Sequence, residues 1–165
     1  MTPRHFLVCV DVNDDDDNGG VGLGLVERAA RLADGLGARM TVVSVVRPVP
    51  VLPAPPLGDR SEAHWARADF ATSVAERRRR TLLTLTDHAR AFGLNPSSRL
   101  VEAEDHAADL LMAAAVDIGA DLLVMGSHGR HGVGVLGSVA MRVAASSTVP
   151  VLIVPFERRR LRRAH

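Results

Sequence analysis

Short, continuous apolar runs alternate along this chain with longer stretches in which apolar residues return every three or four positions. That alternation predicts strands separated by helices. The run His5-Phe6-Leu7-Val8-Cys9-Val10 ends at Asp11 and has the character of a strand buried on both faces. After a polar stretch from Asn13 to Gly20, Leu25, Val26, Ala29, Leu32, Ala33 and Leu36 share one helical face, and Gly37 closes that helix. Met40 to Val46 is mostly β-branched and predicts a second buried strand. Arg47 to Gly58 carries five prolines and predicts a loop without regular structure. A long helix should follow, roughly Ser61 to Phe92, with Phe70, Val74, Leu82, Leu85, Ala89 and Phe92 on its inner side. Ser98 to Ala103 is a shorter and less apolar strand. Leu110, Leu111, Ala114, Ala115 and Ile118 mark the next helix, closed by Gly119. Asp121 to Met125 is a strand, Val139 to Ser146 a helix, and Val149 to Pro155 the last strand.

Strands alternating with helices predict an α/β, doubly wound, Rossmann-like fold: a five-stranded, mainly parallel sheet with helices on both faces. Pro150 lacks an N–H, which suits a strand that begins there or lies at the sheet's edge. No internal repeat or linker divides the chain. One domain is expected over 1–156, followed by a basic tail over 157–165 whose five arginines show no core pattern and suit a solvated segment.

The densest chemical signal runs from Val124 to Ser138. A buried strand ends there, five glycines follow within twelve positions, and Ser138 opens a helix. Free N–H groups and a positive helix dipole at such a turn suit an anion, above all a phosphate. Ligands in doubly wound sheets bind at the carboxyl ends of strands near the switch in strand order. Asp11 and the glycine loop both end strands, so the two can share one site. Asp11 alone is compatible with a ligand contact, a helix cap or a loop hydrogen bond.

Composition narrows the chemistry. The 165 residues are 47% hydrophobic and 24% charged, as in an ordinary globular domain. A net charge of +1 implies no general affinity for nucleic acid. No apolar run approaches the ~20 residues that cross a bilayer, and the amino terminus lacks a signal peptide's apolar segment, so a cytoplasmic protein is expected. The single Cys9 permits no intrachain disulfide, and its apolar strand suits a packed thiol. All 20 basic residues are arginine, which removes the P-loop lysine and any Schiff-base amine.

Other charged groups carry weaker signals. Asp14 to Asp17 repel a phosphate unless a divalent cation lies between them, and otherwise form a solvated loop. His128 and His131 lack the acidic or thiol company of a metal site and suit loop hydrogen bonds. Arg130 suits a phosphate or a nearby carboxylate. Arg77 to Arg80 lie within a helix, point in different directions and suit a solvated surface. Trp65 suits hydrophobic anchoring or a partner contact more than base stacking.

Over nearly the whole chain these residues resemble the universal stress protein family. The most specific stretch is Gly119 to Arg130. Gly137-Ser138-Val139-Ala140, Val149 to Val154, and Leu7-Val8-Cys9-Val10-Asp11 resemble the family's last helix start, final strand and first strand. Nucleotide-binding members show Gly, two residues, Gly, nine residues, Gly, then Ser or Thr. Gly126, Gly129 and Gly137-Ser138 are similar, with seven residues between Gly129 and Gly137. The shortening bears on the triphosphate end of a ligand more than on the adenosine.

The resemblance implies roles residue by residue. Asp11 would face the ribose or adenine, and Val45 would offer its backbone and apolar side chain to the base. Gly126 and Gly129 would let the loop approach ribose and phosphates. Ser138, with the N–H groups of Ser138 and Val139, would hold phosphate, with Arg130 nearby. The implied function is an adenine-nucleotide-binding stress-response module that takes ATP, ADP or AMP, with Mg2+ or Mn2+ accompanying the nucleotide. A homodimer through the C-terminal strand is implied, with neither nucleic acid nor membrane as partner. The rivals are a dimeric scaffold without nucleotide and a slow ATP hydrolase.

Overall fold

The computed structural model describes residues 4–13, 20–49, 62–104, 106–127 and 136–155, with side chains for all of these except 20, 21 and 62–68. Its elements run β1 (His5–Cys9), α1 (Gly20–Leu36), β2 (Arg39–Val46), α2 (Glu62–Arg90), β3 (Ser97–Glu102), α3 (Ala107–Asp117), β4 (Leu122–Gly126), α4 (Ser138–Ser146) and β5 (Val151–Val154). All strand pairs are parallel and the order is β3-β2-β1-β4-β5. The chain builds outward from β1 through β2 and β3, then returns to lay β4 and β5 on the other side. The switch in strand order therefore lies between β1 and β4, with Cys9 opposite Met125. This is the doubly wound α/β sheet that the alternating pattern predicts.

The side-chain period of two along a strand divides the core into two layers. Phe6, Val8, Met40, Val42 and Val124 pack with Leu25, Val26, Ala29, Leu82, Leu85 and Ala89, so this face is covered by α1 and α2. Leu7, Cys9, Val43, Leu123 and Met125 pack with Leu111, Ala114, Ala115, Ala140 and Val143 of α3 and α4. Both faces of β1 are buried, which is why its sequence is a continuous apolar run rather than an alternating one.

Helix ends follow local rules. Gly37 has φ +63°, its N–H donates to Asp34 C=O at 3.0 Å, and Ala38 N–H donates to Ala33 C=O at 2.8 Å. Gly119, at φ +61°, repeats the arrangement with Val116 C=O at 3.0 Å and Ala120 N–H to Ala115 C=O at 2.8 Å. These are Schellman ends, in which a left-handed residue lets two orphan carbonyls find donors.

Three expected core positions are corrected. Leu32 and Leu36 are 38% and 40% exposed. The buried stripe of α1 is centred on Leu25, Val26, Ala29, Ala30 and Ala33, so Leu32 falls at its margin and Leu36 at the helix's last residue. Phe70 is 61% exposed, whereas Ala71 is buried in line with Leu82, Leu85 and Ala89. One residue is about 100° of helix rotation, enough to carry Phe70 off the stripe. Strand and helix limits differ from expectation by one or two residues: α4 begins at Ser138, β3 at Ser97, and β5 spans only Val151–Val154.

At the amino ends of the strands, a partly buried polar chain links three of them. His5 Nδ1 lies 3.2 Å from Ile118 C=O, His5 Nε2 lies 2.9 Å from Thr41 Oγ1, and Thr41 Oγ1 lies 2.8 Å from Ser97 Oγ. The Asp121 carboxylate accepts from the N–H groups of Arg4 and His5 and fixes the start of β1. Among the described residues, no helix is long and apolar enough to cross a membrane.

Candidate functional site

The carboxyl ends of the strands are uneven at the end of the sheet where doubly wound folds form a crevice beside the switch in strand order. Cys9, the last residue of β1, pairs with Val43, but β2 continues to Val46. Val10 N–H still donates to Val43 C=O at 2.9 Å, after which the chain turns away and Val12 N–H meets the buried Ser44 Oγ at 3.3 Å. The end of β2 is left without a strand partner on the β1 side. Two of its backbone groups, Val45 C=O and Arg47 N–H, are met there by a side chain instead.

That side chain is Asn13. Its Nδ2 donates to Val45 C=O at 2.9 Å and to Asp11 Oδ1 at 2.8 Å, while its Oδ1 accepts from Arg47 N–H at 3.1 Å. Asp11 Oδ1 also accepts from the Asn13 backbone N–H at 2.9 Å, closing an Asx turn directly after β1. Asp11 is exposed and Val45 half-buried, and Asn13 joins them. Arg47 C=O in turn accepts from Arg78 Nη1 at 2.6 Å, so one of the four consecutive arginines is half-buried and holds the chain just after β2, contrary to a purely solvated block.

Across the strand-order switch, β4 delivers Gly126, and the next residue is tied at both backbone ends. Ser127 N–H donates to Val154 C=O at 2.9 Å, and Ser127 C=O accepts from Gly137 N–H at 2.8 Å. The Ser127–Gly137 bond brings both ends of the glycine loop together and fixes where α4 starts. Gly137 is the extended N-cap, with φ −60° and ψ 155° and no side-chain cap. Met141 N–H to Gly137 C=O, 2.8 Å, is the first bond of the helix. The N–H groups of Ser138, Val139 and Ala140 thus form the amino end of α4, where the dipole is positive, and Ser138 and Val139 are exposed. Gly137 N–H itself is committed to Ser127.

Ser127 Oγ is buried and has no hydrogen-bond partner among the described residues. A buried hydroxyl without a partner calls for an explanation, because desolvating it costs free energy. Below the crevice, burial pushes the Cys9 thiol up to about 12, which leaves it protonated and inert, as its apolar strand implies.

The sequence-expected residues fall into two groups. Asp11 and Val45 meet through Asn13; Gly126, Gly137, Ser138 and Val139 meet through the Ser127–Gly137 bond. The groups occupy the carboxyl ends of adjacent strands, β1 and β4. Gly129 and Arg130 lie outside the described residues, as do Asp14 to Asp17, His128, His131, the loop over 50–61, the tail over 157–165 and the Trp65 side chain. Sequence reasoning missed Asn13, Arg47, Arg78 and Ser127. An Asn two positions after a strand-end Asp is an Asx-turn signal and could have drawn attention to Asn13.

The family model described as the universal stress protein family matches residues 3–155. The chain belongs to the universal stress protein family. Among solved structures, a universal stress protein in complex with cAMP is 25% identical, with a TM-score of 0.60, covering 94% of this chain and 98% of that one. A family member from Burkholderia pseudomallei is 28% identical, with a TM-score of 0.60, covering 91% and 96%. The Archaeoglobus fulgidus protein in complex with dAMP is 21% identical, with a TM-score of 0.57, covering 93% and 98%; at that identity it speaks for the fold. No curated protein matches this universal stress protein at a significant level.

Proposed function

We propose that this universal stress protein binds an adenine nucleotide in the crevice beyond β1, β2 and β4 and acts as a regulatory module in a stress response. The observation that carries the reading is the pair Val45 C=O and Arg47 N–H, an acceptor beside a donor at the open end of β2. Adenine presents the complement, an amino donor beside a ring-nitrogen acceptor. The solved family member with cAMP supports the same ligand class.

In this proposal Asp11 and Val45 hold the base and ribose, and Gly126 and Gly129 allow close approach of the loop. Gly137, Ser138 and Val139 set the phosphate at the amino end of α4, with Arg130 adding charge. ATP, ADP and AMP all fit this description, and Mg2+ or Mn2+ enters with the phosphates of ADP or ATP. The chain has no lysine to place on a transferring phosphoryl group, so binding rather than hydrolysis is the function proposed.

The proposal includes a homodimer. β5 is the sheet's outer strand beside β4, and Leu152 is 36% exposed on it. Outer strands carry free N–H and C=O groups that pair with a second chain across a twofold axis. A dimer in sedimentation is expected; a monomer at micromolar concentration would contradict the dimer and leave the pocket intact, since the pocket lies within one chain.

Denaturing the purified protein and running the supernatant on an anion-exchange column tests the nucleotide. Release of an adenine nucleotide is the expected result. Protein that carries none and shows no calorimetric heat with AMP, ADP or ATP would leave only the dimeric scaffold. Release of ADP from ATP on incubation with Mg2+ would instead establish the hydrolase.

A further inference from the structure

We propose that Asn13 is a plug seated in the adenine-reading edge, and that an adenine nucleotide binds by displacing it. The proposal rests on the adenine reading above and adds a competitor that the chain supplies itself. The Asn13 carboxamide has an amino group with two hydrogens next to one acceptor oxygen. All three are used: one hydrogen goes to Val45 C=O at 2.9 Å, the other to Asp11 Oδ1 at 2.8 Å, and the oxygen accepts from Arg47 N–H at 3.1 Å. The amino group and adjacent ring nitrogen of adenine offer the same sequence of two donors and an acceptor. The base and the carboxamide therefore ask for the same three protein groups, and both cannot have them.

The plug is built to leave. Asn13 is half-buried at the rim, and the turn that holds its backbone, Asn13 N–H to Asp11 Oδ1 at 2.9 Å, does not involve its side chain. Rotation about the side-chain bonds releases Val45 and Arg47 while the Asx turn stays closed, and the freed carboxamide is hydrated by water. The exchange also filters bases. Hypoxanthine sets a carbonyl oxygen beside a ring N–H, the reverse order, and would face Val45 C=O and the Asp11 carboxylate with lone pairs. Such a base cannot repay the bonds that Asn13 gives up.

A merely supporting role for Asn13, orienting Asp11 for the ligand, predicts the opposite sign, so Asn13→Ala separates the two. Calorimetric titration of the full chain with AMP and with IMP is the test. Removal of the side chain deletes the three side-chain bonds that AMP must otherwise break, so Asn13→Ala should bind AMP on the order of tenfold more tightly while IMP gains nothing. In the unaltered protein, the Asn13 side-chain amide pair should move to solvent-like NMR positions as AMP saturates. Unchanged or weaker AMP binding by Asn13→Ala would overturn the plug while the adenine reading stands. An equal gain for IMP would show a loosened loop and overturn it as well. Heat from neither protein would overturn the adenine reading and the plug with it. Should Asn13→Ala fail to fold, the NMR shift of the unaltered amide decides alone: an amide pair that stays put at saturating AMP refutes the plug.

Discussion

His5 is a titratable side chain held almost dry at the end of the sheet opposite the crevice. Burial first, and then the positive charge of Arg39, push its pKa below the ordinary 6.5; the Ile118 carbonyl and Asp121 oppose the shift without cancelling it. A neutral ring that donates from Nδ1 to Ile118 C=O presents an acceptor at Nε2, which suits the Thr41 hydroxyl. Below pH 6.5 the unfolded chain takes up a proton that the folded chain refuses. Stability from this group is therefore fully present above pH 6.5 and falls as pH drops towards the lowered folded value. Melting temperatures between pH 8 and pH 5 should fall less steeply for His5→Gln than for the unaltered protein, and equal slopes would refute the assignment. Asp11 is legible in the sequence as a candidate because a carboxylate ending an apolar strand is conspicuous. Asn13 and Ser127 are not, because their importance comes from Val45, Arg47 and Gly137, distant in sequence.

Glycines show how much of an element is written locally. Gly37 and Gly119 were legible as helix ends because the left-handed position is a property of the backbone itself. Gly37 has nothing within 4 Å of an added Cβ, so Gly37→Ala costs only its positive φ, about 1–2 kcal/mol. Gly24 also has open space, but it sits inside α1 with ordinary helical backbone. Gly24→Ala should stabilise by about 0.5–1 kcal/mol. Denaturant midpoints should therefore move in opposite directions for the two alanines, and movement in the same direction would contradict the account. Leu32, Leu36 and Phe70 were misplaced because apolar spacing marks a face without fixing its centre. The small Ala29, Ala30 and Ala33 set that centre in α1 by letting the helix approach the sheet. Between Gly129 and Gly137, the seven-residue gap leaves less chain to follow a polyphosphate. AMP and ADP should then bind nearly as well as ATP, and a hundredfold preference for ATP in competition titrations would contradict this.

For the molecule as a whole, strand and helix order was legible because both faces of a parallel sheet must be covered, which leaves continuous apolar strands between amphipathic helices. The strand order β3-β2-β1-β4-β5, and with it the switch between β1 and β4, came from the structure, because a covered parallel sheet is compatible with more than one order. What the sequence could not show is that β2 outruns β1, since relative strand ends are set by pairing register. That mismatch leaves Val45 C=O and Arg47 N–H without a strand partner on the β1 side, where Asn13 meets them. The central claim is that an adenine nucleotide occupies this end of the sheet. Titrating the 15N-labelled protein with AMP tests it most directly. The amides of Asn13, Arg47, Ser127, Ser138 and Val139 should shift together along one saturating curve while those of His5, Thr41 and Ile118 stay still. An unmoved spectrum at millimolar AMP, or shifts confined to the His5 end, would contradict it.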